Sequence, residues 1–275
     1  MANPGNVMAD NDAPPALECT GIERSFGGLK ALKGVGFGLR QGEIFGLVGP
    51  NGSGKTTMVN VITGFYPPQA GRVRLFGEDI TGLAPSRIAR RAVARTFQNL
   101  ALFRGMSVLD NILVGRHVHM RPSALASLFY WVWAAREETA HRRVVEEIID
   151  FMQLQDIRDE PIEAIPPGLQ KSVELARALA SQPRFLILDE PMAGMNQEEK
   201  EYLARFILDA RDERGVSILL IEHHMDVVTS LCDRVLVLSY GETIAQGPAR
   251  EAIASPAVVE AYLGRRAAQR VGALA

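Results

Sequence analysis

Cysteine is nearly missing from this chain of 275 residues, which has only Cys19 and Cys232. Two thiols cannot build the disulfide framework of a small secreted domain, and the pattern fits a reducing cytosol. Each reads as a small buried hydrophobe. An excess of charge is missing too: 30 Lys and Arg stand against 32 Asp and Glu. That balance argues against a general electrostatic grip on nucleic acid, which needs a clustered basic face. Long apolar runs are absent as well. The most apolar stretch, ALASLFYWVWAA at 124–135, falls short of the roughly 20 residues that cross a bilayer. A membrane role therefore has to pass through a partner. The first residues, MANPGNVMADNDAPPA, lack the basic start and apolar run of a secretory signal. They read as a disordered polar tail over 1–16, and RRAAQRVGALA reads as a flexible end over 265–275.

What is present is an ordinary globular balance, 47% hydrophobic and 23% charged, with length enough for one large domain or two lobes. From Leu17 to about Phe76 the pattern is strand-like, broken by turns at FGG and RQGE. Within it a buried strand, Ile44–Val48, runs through a glycine-rich loop into a helix expected over about Lys55–Thr63. From Met106 to about Ile157 the pattern becomes helical, with Ser107 as a cap and Asp110 at the third position. REETAHRRVVEEIIDFMQL is amphipathic, its expected inner face carrying Ala140, Val144, Ile148 and Met152. After Gly168, helices alternate with the continuously apolar runs FLIL, SILLI and VLVL. Such runs are expected of strands covered by helices on both sheet faces, hence an α/β core with a largely parallel sheet. A helical lobe over about 100–167 is inserted between core segments 17–99 and 168–264.

Gly49-Pro50-Asn51-Gly52-Ser53-Gly54-Lys55-Thr56-Thr57 is a phosphate-binding loop. Its glycines let backbone N–H groups turn inward around phosphate oxygens, helped by the positive start of the helix. Lys55 should reach the β- and γ-phosphates, and Thr56 should offer its hydroxyl to Mg²⁺. FLILDE is the expected partner, a buried strand that delivers Asp189 and Glu190 at its C-terminal end. Asp189 suits the Mg²⁺ shell. Glu190 is placed to orient or deprotonate an attacking water, a role worth about 10²–10⁴ in rate. Gln98, at the junction with the helical lobe, can touch the metal or the water, and His223 can hydrogen-bond the γ-phosphate from beyond SILLI. His224 competes for that role. A metal site at this histidine pair is disfavoured because no third ligand is evident in the sequence.

Together GPNGSGKTT, RTFQNLALF, FLILDEP and LLIEHHM resemble the ATP-binding subunits of ABC transporters, over about Leu17 to Leu263. FGGLKAL, GFYPPQAGRV and EAYLGRR resemble the branch that takes up branched-chain amino acids and urea. The resemblance implies a P-loop NTPase fold with a RecA-like core, an antiparallel β-subdomain and an inserted helical subdomain. It also implies an Mg-dependent ATPase at the cytoplasmic face of the cell membrane. Its partners are transmembrane permease subunits, a second ATP-binding subunit (a copy or a relative) and, indirectly, a solute-binding protein. No nucleic acid is implied. Phe26 stacks on adenine in this comparison. The family signature LSGGQ aligns with Ile165-Pro166-Pro167-Gly168-Leu169, where the serine is gone and two prolines lack an N–H donor. Only Gly168 keeps its identity, leaving its N–H and the helix start to meet the partner's γ-phosphate. Asn196 stands where an interface aspartate is usual. Two other readings remain: the ATPase of a lipid or lipopolysaccharide export system, and a low-turnover nucleotide-binding regulatory subunit.

Overall fold

The computed structural model describes residues 13–96, 101–119 and 130–263. Strands β1 (Leu17–Phe26) and β2 (Leu29–Leu39) pair antiparallel across a tight turn in which Gly27 takes φ 56°. Next come β3 (Ile44–Val48), helix α1 (Lys55–Ile62), β4 (Ala70–Leu75), β5 (Glu78–Asp79), α2 (Pro85–Ala89) and β6 (Val93–Arg95). The helical insertion contains α3 (Val108–Val114) and α4 (Tyr130–Phe151), and α5 (Pro167–Ala180) leads out of it back to the core. The chain then returns as β7 (Phe185–Asp189), α6 (Gln197–Asp212), β8 (Ser217–Ile221) and α7 (Met225–Leu231). It closes with β9 (Arg234–Ser239), β10 (Glu242–Pro248), α8 (Ala249–Ile253) and α9 (Pro256–Leu263). One sheet is antiparallel, in the order β2-β1-β4-β5. The other runs β10-β9-β3-β8-β7-β6 and is parallel except where β10 folds back on β9.

The apolar runs place this second sheet at the centre. Every residue of β3, β7 and β8 is buried, and the two-residue period divides them between two cores. Ile44, Leu186, Leu188, Ile218 and Leu220 face the helices, whereas Phe45, Phe185, Ile187, Leu219 and Ile221 face the antiparallel sheet and α1. Each such side chain contributes about 1.5–3 kcal/mol by leaving water. Among the described residues the helical insertion shows no separate core. Val108, Ile112, Val145, Ile148 and Met152 join the same apolar cluster as Leu186, Leu188 and Val235.

Two local expectations change. On α4 the inner face carries His141, Val145, Ile148, Ile149 and Met152, while Ala140 is exposed and Val144 only half-buried. A stripe drawn at steps of four drifts off a 3.6-residue helix, and the observed one follows the true period. His141 is accepted inside because its Nδ1 receives the Arg116 Nε–H at 3.2 Å. At the other end of the fold, Ala16 is fully buried and its carbonyl accepts the Phe76 N–H at 3.0 Å. Packed structure thus includes residues assigned to the tail. Gln98, the side chains of SLFYWVW and the tails over 1–12 and 264–275 lie outside the described residues.

Helix starts follow their chemistry. The Ser107 hydroxyl accepts the Asp110 N–H at 3.1 Å, capping α3. Asn196 and Glu199 form a reciprocal capping box on α6, with bonds of 3.0 and 2.9 Å. Pro166 stands before α5 in an extended conformation and Pro167 fills its first position, where a missing N–H costs nothing. Gly168 is buried there, and a Cβ in its place would collide with the Glu199 carboxylate.

Candidate functional site

β3, all of it buried, ends at a glycine held at φ 151°, and the loop that follows keeps Gly52 at φ 78° and Gly54 at φ 112°. Gly54 is needed for space as well as torsion, because a Cβ there would lie 2.7 Å from the Ala31 carbonyl oxygen. The loop is tied down at both ends. The Ser53 N–H donates to the Pro50 carbonyl at 3.2 Å, and the Gly241 N–H donates to the Ser53 carbonyl at 2.9 Å. The Ser53 hydroxyl is buried without a partner. Lys55 is also buried, its ammonium turned onto the carbonyls of Gly49 (2.6 Å) and Pro50 (3.1 Å). Burial pulls its pKa below the usual lysine range, and the charges of Glu190 and Asp189 partly offset this.

The loop forms the floor of a cleft of about 820 Å³. Asn51, Gly52, Ser53, Gly54, Thr56 and Thr57 line it together with Lys55, Asp189 and Glu190. Phe26 is at its mouth, 39% exposed, its ring held by the edge of Tyr66 at 5.1 Å and by the Arg24 guanidinium at 5.0 Å. One face of an aromatic ring is thereby braced over an apolar rim. Tyr240, exposed at the β9–β10 turn, forms part of the wall. Gly168 does not line this cleft.

Asp189 closes β7 and is nearly buried. The Arg95 guanidinium donates to its Oδ2 at 2.7 Å and to the Asn60 Oδ1 of α1 at 2.9 Å. Arg95 was not anticipated from the sequence, where its only signal is its place three residues before Gln98. Glu190 takes φ 49°, left-handed for a residue other than glycine, and its N–H donates to the Ile221 carbonyl at 2.9 Å. This torsion costs on the order of 1–3 kcal/mol and is held by Asp189 in β7 on one side and by the bond of the Glu190 N–H to β8. It turns the carboxylate toward the end of β8, where Glu190 Oε1 lies 3.7 Å from His223 Nδ1. The arrangement therefore joins the phosphate loop and both acids of FLILDE in one cleft at the strand ends, whereas His223 does not line it and meets it only through Glu190.

The residues fit an anionic phosphate chain and a hard cation. The orphan Ser53 hydroxyl, the inward-facing loop and a buried ammonium form a cradle for phosphate. Thr56 and Asp189 supply oxygen donors only, the set that Mg²⁺ prefers.

Residues 32–193 match the ABC transporter family. The chain is 39% identical, over 91% of its length and 98% of the relative's, to the high-affinity branched-chain amino acid transport ATP-binding protein BraF of Pseudomonas aeruginosa. Among solved structures it is similar to a nucleotide-free ATP-binding cassette from an ABC transporter, with TM-score 0.79 and 33% identity, covering 91% of this chain and 100% of that one. It is also similar to an ADP conformation of such a cassette, with TM-score 0.79 and 34% identity, covering 91% and 99%. With the cleft, its loop and its two-lobed fold, these likenesses mean that the chain belongs to the ABC transporter family, as one of its ATP-binding, ATP-hydrolysing subunits.

Proposed function

We propose that the chain drives import of branched-chain amino acids, or of a related small polar solute, by hydrolysing Mg-ATP in this cleft. The solute rests on the likeness to BraF. The observation that carries the chemistry is the convergence of Lys55, Asp189 and Glu190 on one cleft with the phosphate loop, with His223 Nδ1 3.7 Å from Glu190 Oε1.

In this reading the loop amides from Asn51 to Thr57 enclose the phosphates. Lys55 exchanges its two carbonyl partners for β- and γ-phosphate oxygens, and Phe26 stacks on adenine. Thr56, Asp189 and Gln98 hold Mg²⁺, which when bound neutralises charge on the phosphate oxygens. Glu190 orients or deprotonates the water, with His223 bonding the γ-phosphate from the other side. Gly168 and the first free N–H groups of α5 meet the nucleotide of a second ATP-binding subunit. Opening and closing of that pair is passed to transmembrane permease subunits where the Gln98 segment joins the helical lobe of about 100–167. The core is formed by 17–99 and 168–264, and a solute-binding protein delivers cargo on the far side. Among the described residues no helix is long and apolar enough to cross a membrane; in this reading the chain sits at the cytoplasmic face through its permease partners.

The test is the steady-state ATPase rate of the purified chain against its own concentration, beside Glu190→Gln. A rate per molecule that rises with concentration and vanishes in the variant, with ATP binding retained, is expected. Equal rates in both would remove Glu190 from the chemistry. Flat, negligible turnover despite ATP binding would instead favour the regulatory reading that the prolines before Gly168 suggest.

A further inference from the structure

Beyond the end of β8, Glu222, His223 and His224 bring one carboxylate oxygen and two ring nitrogens within 4.8 Å of one another. The two imidazoles meet edge to face, with centroids 4.1 Å apart. Glu222 is 1% exposed and accepts the N–H groups of Met192 at 3.3 Å and His223 at 3.2 Å. Among the described residues its one ionic partner is His223, whose Nδ1 lies 3.9 Å away, and no lysine or arginine reaches it. A carboxylate this deeply buried calls for a cation. His224 precedes α7 without a side-chain capping bond, so its ring nitrogens are not engaged by the helix start. Glu190 Oε1 lies 3.7 Å from His223 Nδ1 but outside this group of three.

We propose that Glu222, His223 and His224 bind a transition metal such as Zn²⁺, and that filling this site withdraws His223 from nucleotide. Two imidazoles and a carboxylate suit Zn²⁺, whose tetrahedral shell takes N and O donors at about 2.0–2.2 Å. Mg²⁺ is bound through oxygen, so this donor set is chemically distinct from Thr56 and Asp189. Competing ligands are few. Cys19 and Cys232 are buried, and burial pushes both thiols up, away from the thiolate that binds metal. His141 holds Arg116, and His119 is engaged by the Ser181 carbonyl at 2.7 Å. His117 is left as the natural control. The withdrawal of His223 rests on the proposed nucleotide role; the metal site does not.

The test is calorimetric titration of the untagged, nucleotide-free full chain with ZnCl₂ near neutral pH. One Zn²⁺ per chain is expected, with affinity lowered at least about tenfold in Glu222→Gln and in His224→Asn and unchanged in His117→Gln. Glu222 is buried and its variant can misfold, whereas Asn at position 224 still suits a helix start. Parent-like affinity in a folded His224→Asn chain, or loss of binding in His117→Gln, overturns the proposal. The zinc-loaded chain should also bind a non-hydrolysable ATP analogue more weakly while holding ADP as before. If both nucleotides are weakened alike, the metal site stands and the γ-phosphate role of His223 fails.

Discussion

Asp189 is committed before any ligand arrives, because Arg95 grips one of its oxygens from a strand 94 residues earlier in sequence. Both side chains are close to buried, so removing one leaves an uncompensated charge. Arg95→Met is expected to lower stability by about 3–5 kcal/mol. Adding Asp189→Asn should restore most of the loss, as read by urea unfolding of the nucleotide-free chain. If Arg95→Met unfolds like the parent, the pair holds nothing. A second buried acid is Glu43. Glu43 is drawn upward from the usual carboxylate range by burial, against the pull of the Arg40 N–H and the Arg234 guanidinium. With a folded pKa above the unfolded one, its contribution is greatest below about pH 4.3 and is lost as pH rises through the raised value. Glu43→Gln should therefore be more stable than the parent at pH 7, with the advantage fading toward pH 4, as read from denaturant midpoints. The meeting of the phosphate loop with Asp189 and Glu190 in one cleft was legible because the spacing within each motif is fixed. Arg95 and Glu222 were not, since each gains meaning only from neighbours that the fold supplies. Glu222 stands beside the histidine pair in LLIEHHM, but only the fold shows it buried with its carboxylate close to both rings.

At the scale of elements, α5 and α6 decide what the altered signature can do. Pro166 is exposed, but Leu169 packs against the main apolar cluster. Restoring both signature residues would therefore mix a gain in donors with a loss of burial. Pro166→Ser alone is the cleaner variant. It should raise the ATPase rate at fixed concentration if donors at this helix start limit closure, and an unchanged rate means that the Gly168 N–H and its successors suffice. On α6, Asn196→Ala should cost about 1 kcal/mol by removing the side-chain acceptor of the Glu199 N–H, as read by thermal unfolding, while the backbone N–H at 196 still holds the Glu199 carboxylate. The existence of these helices was plain from periodicity. The phase of α4 was not, because Ala140 and Val144 look as apolar as the residues that are buried, while His141 looks polar until Arg116 meets it.

For the whole molecule, continuous apolar runs were enough to read a parallel sheet, whereas the order β10-β9-β3-β8-β7-β6 depends on crossovers that no spacing reveals. Nor could the sequence tell that the helical insertion shares its core with the sheet. The left-handed torsion of Glu190 has a consequence at this scale. Asparagine tolerates that conformation far better than glutamate, so Glu190→Asn should melt later than the parent, by about 1 kcal/mol of unfolding free energy, while turning over no ATP. A screen for sturdier folds would select this dead chain, and only selection for work done can keep an acid at position 190.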